Sequence, residues 1–268
     1  MSNRLTPLLT IMVNAAQKAG RALRRDFGEI ENLQVTRKGP ADFVTKADTK
    51  AEKILIEELQ KARPAYSFEV EESGVIEGSD ISNKWIIDPL DGTTNFLHGI
   101  AHFAVSVALE RDKRIEAAVV YNPITDDLYY AERGKGAFLR DSRLRVSGRA
   151  HIQDSLFSTG IPFLGRSGHE TFVTELQAVM GASAGIRRFG AAALDLAFVA
   201  AGRYDGFWER GLSSWDMAAG ILLVREAGGI VTDFDGRDRM LETGDIIASN
   251  ASIDRDFRQL LKSAAKNA

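Results

Sequence analysis

The sequence predicts an α/β protein whose first half is α+β and whose second half alternates strands with helices. Three features carry this. Apolar residues recur at helical spacing from Leu5 to Phe27. From Phe103 to Val146, short β-like runs follow one another with turn residues between them, an antiparallel meander rather than βαβ units. After Ser147-Gly148 the rhythm changes, and strand-like and helix-like stretches alternate. No repeat or low-complexity linker separates the parts, roughly 1–148 and 149–268, so residues 1–268 are expected to form one compact domain.

Taken in order, the first helix stops at Gly28, with Arg21, Arg24 and Arg25 near its C-terminal end where cations suit the dipole. Leu33 to Val35 reads as a short strand and Arg37 to Thr45 as a loop. A helix from about Ala47 to Lys61 follows, capped by Thr45 or Asp48, with Ala51, Ile54, Leu55 and Leu59 on its apolar face. By position alone, Asp48 is a helix-terminal acid. Tyr66 to Val70 and Lys84 to Ile87 are expected strands. The meander then runs Phe103–Glu110, Ile115–Tyr121, Asp127–Glu132, Ala137–Leu139 and Arg143–Val146. In the second half, strands are expected at Leu156–Thr159, Ile186–Phe189, Tyr204–Trp208, Gly229–Thr232 and Ile246–Ser249. Helices are expected at His169–Met180, Ala191–Ala201, Trp215–Ala227 and Asp254–Ala264.

Composition narrows the function. With 44% hydrophobic residues in 268, the chain can build a core without covalent staples. A formal charge of −3 argues against direct nucleic-acid binding, which normally needs a basic field. Cysteine is absent, which excludes disulfides, thiolate zinc sites and a cysteine nucleophile. No apolar run reaches membrane-spanning length and the N-terminus lacks a signal peptide's apolar core, so a cytoplasmic protein without membrane attachment is expected.

The chemistry centres on Trp85-Ile86-Ile87-Asp88-Pro89-Leu90-Asp91-Gly92-Thr93-Thr94-Asn95. The apolar residues read as the end of a buried strand, and Asp-Pro-Leu-Asp-Gly as a turn that holds Asp88 and Asp91 there. Carboxylates plus the Leu90 carbonyl are hard oxygen donors, the set that Mg²⁺ or Ca²⁺ takes. An ordinary strand-ending turn is the competing reading. Glu71-Glu72-Ser73 ends another expected strand, and Asp216 sits in the first turn of an apolar helix. Other signatures fall away. Asp233-Phe234-Asp235-Gly236 resembles a haloacid-dehalogenase nucleophile strand, but Arg237 replaces the usual small hydroxyl residue and little chain follows; it reads as a strand and a turn. There is no P-loop and no Gly-x-Ser-x-Gly elbow, and His98, His102, His151 and His169 lack zinc spacing.

Glu71-Glu72-Ser73, then Asp88-Pro89-Leu90-Asp91-Gly92-Thr93, then Trp215-Asp216 with small residues after it, resembles the inositol monophosphatase family over nearly the whole chain. The resemblance implies a layered αβαβα sandwich of the sugar-phosphatase type, a homodimer, Mg²⁺ dependence and Li⁺ sensitivity. It implies metal ligation by Glu71, Asp88, the Leu90 carbonyl, Asp91 and Asp216. Asp48 is implied to support Thr94, which orients the attacking water together with Glu71. Asp91, Gly92, Thr93, Gly190, Ala192, Glu209 and Asp216 are implied to contact substrate. The expected reaction is hydrolysis of a phosphate monoester, foremost myo-inositol monophosphate, by water without a covalent intermediate. Ala191 stands where several relatives carry Thr or Ser, which keeps histidinol phosphate, adenosine bisphosphates and fructose bisphosphate in view. Some bacterial relatives associate with transcription machinery, and an accessory protein of such a complex is the alternative.

Overall fold

The computed structural model describes residues 5–29, 35–39 and 42–266; Leu33 and Gln34 of the first expected strand lie outside them. Thr6 accepts from the Leu9 N–H at the start of α1 (Pro7–Phe27), and Pro7 has no N–H to leave unpaired there. The stretch expected as a loop instead contains a hairpin, β1 (Val35–Gly39) antiparallel to β2 (Asp42–Thr45). Val35, Thr36, Val44 and Thr45, paired Val35 with Thr45 and Thr36 with Val44, are β-branched residues that favour strand pairing. α2 (Lys46–Ala62) follows directly and buries Ala51, Leu55 and Leu59. Burying each leucine contributes about 2 kcal/mol.

The large sheet comprises β3 (Tyr66–Val70), β4 (Gly74–Ile76), β5 (Asp80–Asp91) and, after the short helix α3 (Thr93–Leu97), β6 (Ala104–Arg111), β7 (Arg114–Asn122), β8 (Asp127–Glu132), β9 (Gly136–Leu139) and β10 (Ser142–Arg143). Its order is β10-β9-β8-β7-β6-β5-β3-β4. The antiparallel meander is there from β5 to β10, while β3 runs parallel to β5 with Phe68 opposite Trp85. β5 outruns its expected end at Ile87 and continues through Asp88-Pro89-Leu90-Asp91. Asp88 faces Ser106 and Asp91 faces Ala104, so β5 carries one extra residue here. That bulge accommodates Pro89, which has no N–H for a regular ladder. The segment is therefore a bulged strand rather than a turn.

The second sheet draws on β11 (Leu156–Thr159), β12 (Gly185–Arg187), β13 (Gly206–Glu209), β14 (Gly229–Thr232) and β15 (Ile246–Asn250), in the order β12-β11-β13-β15-β14. Between them run α4 (His169–Ala182), α5 (Ala192–Ala200), α6 (Ser214–Glu226) and α7 (Met240–Thr243), and α8 (Asp254–Ala265) closes the fold. α7 is a single turn without a repeating apolar pattern, which is why the sequence does not announce it. α1 and α2 cover one face of the large sheet; α5 and α6 lie between the two sheets; α4 and α8 cover the outer face of the second. This is the αβαβα sandwich. Small residues along α5 and α6, such as Ala193, Ala197 and Gly220, let these helices approach closely: a Cβ on Gly220 would stand 2.4 Å from the Leu196 side chain. Among the described residues no helix is long and apolar enough to cross a membrane.

Candidate active site

Several chain segments end at one cavity of about 870 Å³. Glu71 enters from the turn after β3, Asp91 from the bulge of β5, and Asp216 from the first turn of α6. Gly92, Thr93 and Thr94 continue the wall beside Asp91, and Gly190, Ala192 and Glu209 line it as well. Asp48, Asp88 and Leu90 are not part of this lining and are all buried. Asp48 is the helix-terminal acid that its position indicates, in the first turn of α2, and it is fully buried there.

Local backbone geometry explains how the bulge holds its shape. Asp88 Oδ1 accepts from the Leu90 N–H at 2.9 Å. Gly92 has φ +94°, and a Cβ there would lie 3.1 Å from the His102 carbonyl oxygen. Asn95 Nδ2 donates to the carbonyls of His102 at 2.8 Å and Phe189 at 2.7 Å, tying the bulge to the loop before α5. The hydroxyl that meets Asp48 belongs to Thr93, not to the expected Thr94. Thr93 Oγ1 is 3.1 Å from Asp48 Oδ1 and 3.0 Å from the Leu90 carbonyl oxygen. Thr94, one position along the helical turn, is exposed.

Two of the acids also serve helix ends. Asp91 Oδ2 accepts from the Ala193 N–H in the first turn of α5 at 2.8 Å, across 102 positions of sequence. Asp216 Oδ2 accepts from the Ser213 N–H at 2.7 Å in the capping box of α6. Each carboxylate is thereby fixed through one oxygen by an otherwise unpaired helix N–H.

The site holds more negative charge than its surroundings favour. Burial pushes the Asp88 carboxyl well above the usual range, and Glu71, Asp91 and Asp216 add repulsion. Asp91 is raised well above it too, by burial and then by Asp216, against the opposing Ala193 hydrogen bond. Asp216 is pushed up to about 6 by burial, while the Ser213 N–H and Arg166 pull it down. Burial and Asp216 lift Glu209 to about 8, with Arg188 and Arg166 opposing. Buried like charges of this kind call for a cation. Among the described residues no three acidic or imidazole groups already stand at metal-holding separation. The donor chemistry nonetheless fits a hard divalent ion, since carboxylates and the Leu90 carbonyl are all oxygen ligands. No histidine is among the described residues that line the cavity; His102 packs between Phe189 and Phe198, and burial lowers its pKa.

A model of the inositol monophosphatase family matches residues 4–267. The chain belongs to that family. It is 59% identical over 255 residues to an inositol-1-monophosphatase of Mesorhizobium japonicum, covering 95% of this chain and 96% of that protein. A Pseudomonas aeruginosa protein called Nus factor SuhB is 48% identical over 261 residues, covering 96% and 95%. The crystal structure of the extragenic suppressor protein suhB from Bartonella henselae superposes with a TM-score of 0.94 at 57% identity, covering 96% of this chain and 99% of that one.

Within this inositol monophosphatase-family site, three features escaped the sequence reading. Arg166 and Arg188 line the cavity and oppose the charge on Glu209. Gly160 abuts Glu209 so closely that a Cβ would stand 1.9 Å from Oε1. Glu52, one turn after Asp48 on α2, is buried against the turn after Glu71. The spacing of Asp48 and Glu52 was visible; what they touch was not.

Proposed function

We propose that the chain hydrolyses a phosphate monoester, foremost myo-inositol monophosphate, in a Mg²⁺-dependent reaction with water as nucleophile. The observation that carries this is the convergence of Glu71, Asp91 and Asp216 on one cavity with Asp88 buried nearby, where Glu71, Asp91 and Asp216 raise the charge cost of Asp88 and Asp216, Glu209 and Glu71 that of Asp91. These four acids and the Leu90 carbonyl would hold Mg²⁺, which when bound neutralises phosphoryl charge and lowers the pKa of a bound water. The Thr93 hydroxyl, steered by Asp48, and the Glu71 carboxylate would orient the attacking water. Gly92 and Thr93 suit the phosphoryl end, and Gly190, Ala192 and Glu209 suit the alcohol, because a carboxylate accepts hydroxyl hydrogen bonds. No protein group needs to form a covalent bond to phosphorus.

A homodimer fits this reading and rests on the family resemblance, as does sensitivity to Li⁺, which a titration against a K⁺ control checks; a cytoplasmic location rests on the lack of a membrane-spanning apolar run in the sequence. The experiment that tests the function is phosphate release from a panel of inositol, histidinol, adenosine and fructose phosphates, with Mg²⁺ and with EDTA. Release that requires Mg²⁺ and is fastest with inositol phosphate supports it; full activity in EDTA refutes the metal chemistry.

The similarity to proteins called Nus factor SuhB favours a second reading, in which the chain also works within a transcription complex. Recovery of transcription factors on this protein, undiminished by Asp91→Asn, supports that role; no recovery from the same extract argues against it.

A further inference from the structure

α2 presents Asp48 and Glu52 one helical turn apart on a single buried face. Glu52 is 4% exposed, and both its oxygens are engaged. Oε2 accepts from the Glu72 N–H at 3.0 Å, and Oε1 accepts from the Ser73 hydroxyl. Glu72 and Ser73 directly follow Glu71 in the turn joining β3 to β4, where Val70 pairs with Gly74 and Gly74 takes φ +72°. That pairing sets the shape of the turn. A surface cleft of about 400 Å³ borders the turn at Thr49, Lys53 and Ile56, and Glu52 spans from α2 to the turn beside it. On the β5 side the Glu71 N–H donates to the Ile87 carbonyl at 3.3 Å, and on the α2 side Glu52 holds the next two residues.

Among the described residues no Lys or Arg pairs with Glu52. A buried carboxyl group held by an N–H and a hydroxyl is an expensive way to fill space, and an apolar side chain would pack the adjoining Ala51, Leu55 and Leu59 core at lower cost. What the carboxylate supplies is a fixed geometry.

We infer that Glu52 is a positioning residue for the metal-binding site: it anchors the Glu72 N–H and Ser73 hydroxyl to α2 and thereby sets the placement of Glu71. Asp48, four residues earlier on the same helix, does the same for Thr93. One rigid helix thus registers two loops that come from separate strands, so the side chains proposed to orient water keep a fixed separation. The inference rests on the Mg²⁺-dependent reading above.

The test is a calorimetric titration of Mg²⁺ into the full-length protein, together with phosphate release against Mg²⁺ concentration. Glu52→Ala is expected to weaken Mg²⁺ binding about tenfold and to raise the Mg²⁺ midpoint equally, with KM for substrate at saturating Mg²⁺ unchanged. Glu52→Gln keeps an acceptor for Glu72 and a group that can bond Ser73, and is expected to stay within about threefold of wild type. Leu55→Ala on the same helix lowers melting temperature but leaves Mg²⁺ affinity alone, which separates positioning from general destabilisation. A folded Glu52→Ala protein with wild-type Mg²⁺ affinity, or Glu52→Gln as impaired as Glu52→Ala, overturns the inference. If Glu52→Ala does not fold, Ser73→Ala decides: weaker Mg²⁺ binding supports the role and unchanged binding overturns it. Absence of any Mg²⁺ binding by the wild type removes the metal reading itself, a result distinct from all of these.

Discussion

Neutralising Glu209 should stabilise the metal-free protein, and the gain should grow with pH. The Glu209 carboxyl titrates near 8 in the fold against 4.5 ordinarily, through burial and then the Asp216 charge. The folded state therefore holds this proton more tightly than the unfolded chain. Stability from this group is complete below about pH 4.5 and declines as pH rises to about 8, at about 1.4 kcal/mol per pH unit. From pH 5 to pH 7 that amounts to about 3 kcal/mol. Glu209 lines the open cavity and is only partly buried by surface area, so solvent screening reduces the figure to about 1–2 kcal/mol. Glu209→Gln keeps the volume that fits against Gly160 and removes the titration. In EDTA at pH 7 it should melt about 2–8 °C above wild type, at about 2–4 °C per kcal/mol for a chain of this size. At pH 5 the two proteins should melt nearly together. Circular dichroism melts at both pH values check this. An equal shift at pH 5 and pH 7, or a variant less stable at pH 7, would refute the argument that buried negative charge strains this wall.

Three further outcomes follow from the geometry. Asp91→Asn keeps an oxygen that can accept from the Ala193 N–H, so the metal-free melting temperature should not fall, while turnover should be lost; retained turnover counts against Asp91 as a metal ligand. Thr93→Val removes the hydroxyl facing Asp48 and should lower kcat about a hundredfold, whereas Thr94→Val should change it less than about threefold; the reverse order in phosphate-release assays would restore Thr94 to the role. Gly160→Ala forces the Glu209 carboxylate aside and should raise KM for inositol phosphate several-fold, by roughly 1 kcal/mol of lost hydrogen bonding, with little effect on an aryl phosphate. Equal KM changes for both substrates would place Glu209 outside alcohol recognition.

Hydrophobic period and turn chemistry made the meander and most helices legible because they are local signals. They were least informative where one local rule met another. Pro89 argued for a break, yet β5 continues through it as a bulge because β6 supplies pairing on both sides. Arg37 to Thr45 read as a loop, yet Val35–Gly39 and Asp42–Thr45 pair as a hairpin.

The sequence by itself determined the chemistry of the site: which residues are acidic, that Asp88 and Asp91 flank a carbonyl, and that Asp216 opens a helix. Carboxylate identity and short-range spacing are covalent facts, and they survive any error about the fold. The tertiary structure decided which groups meet. It brought Asp91 to the N-terminus of α5, gave Asp48 to Thr93 rather than Thr94, and placed Glu52 under the turn that carries Glu71. It also turned separate acids into a coupled set, because charge repulsion depends on distance and burial, and neither is written in the order of residues along the chain.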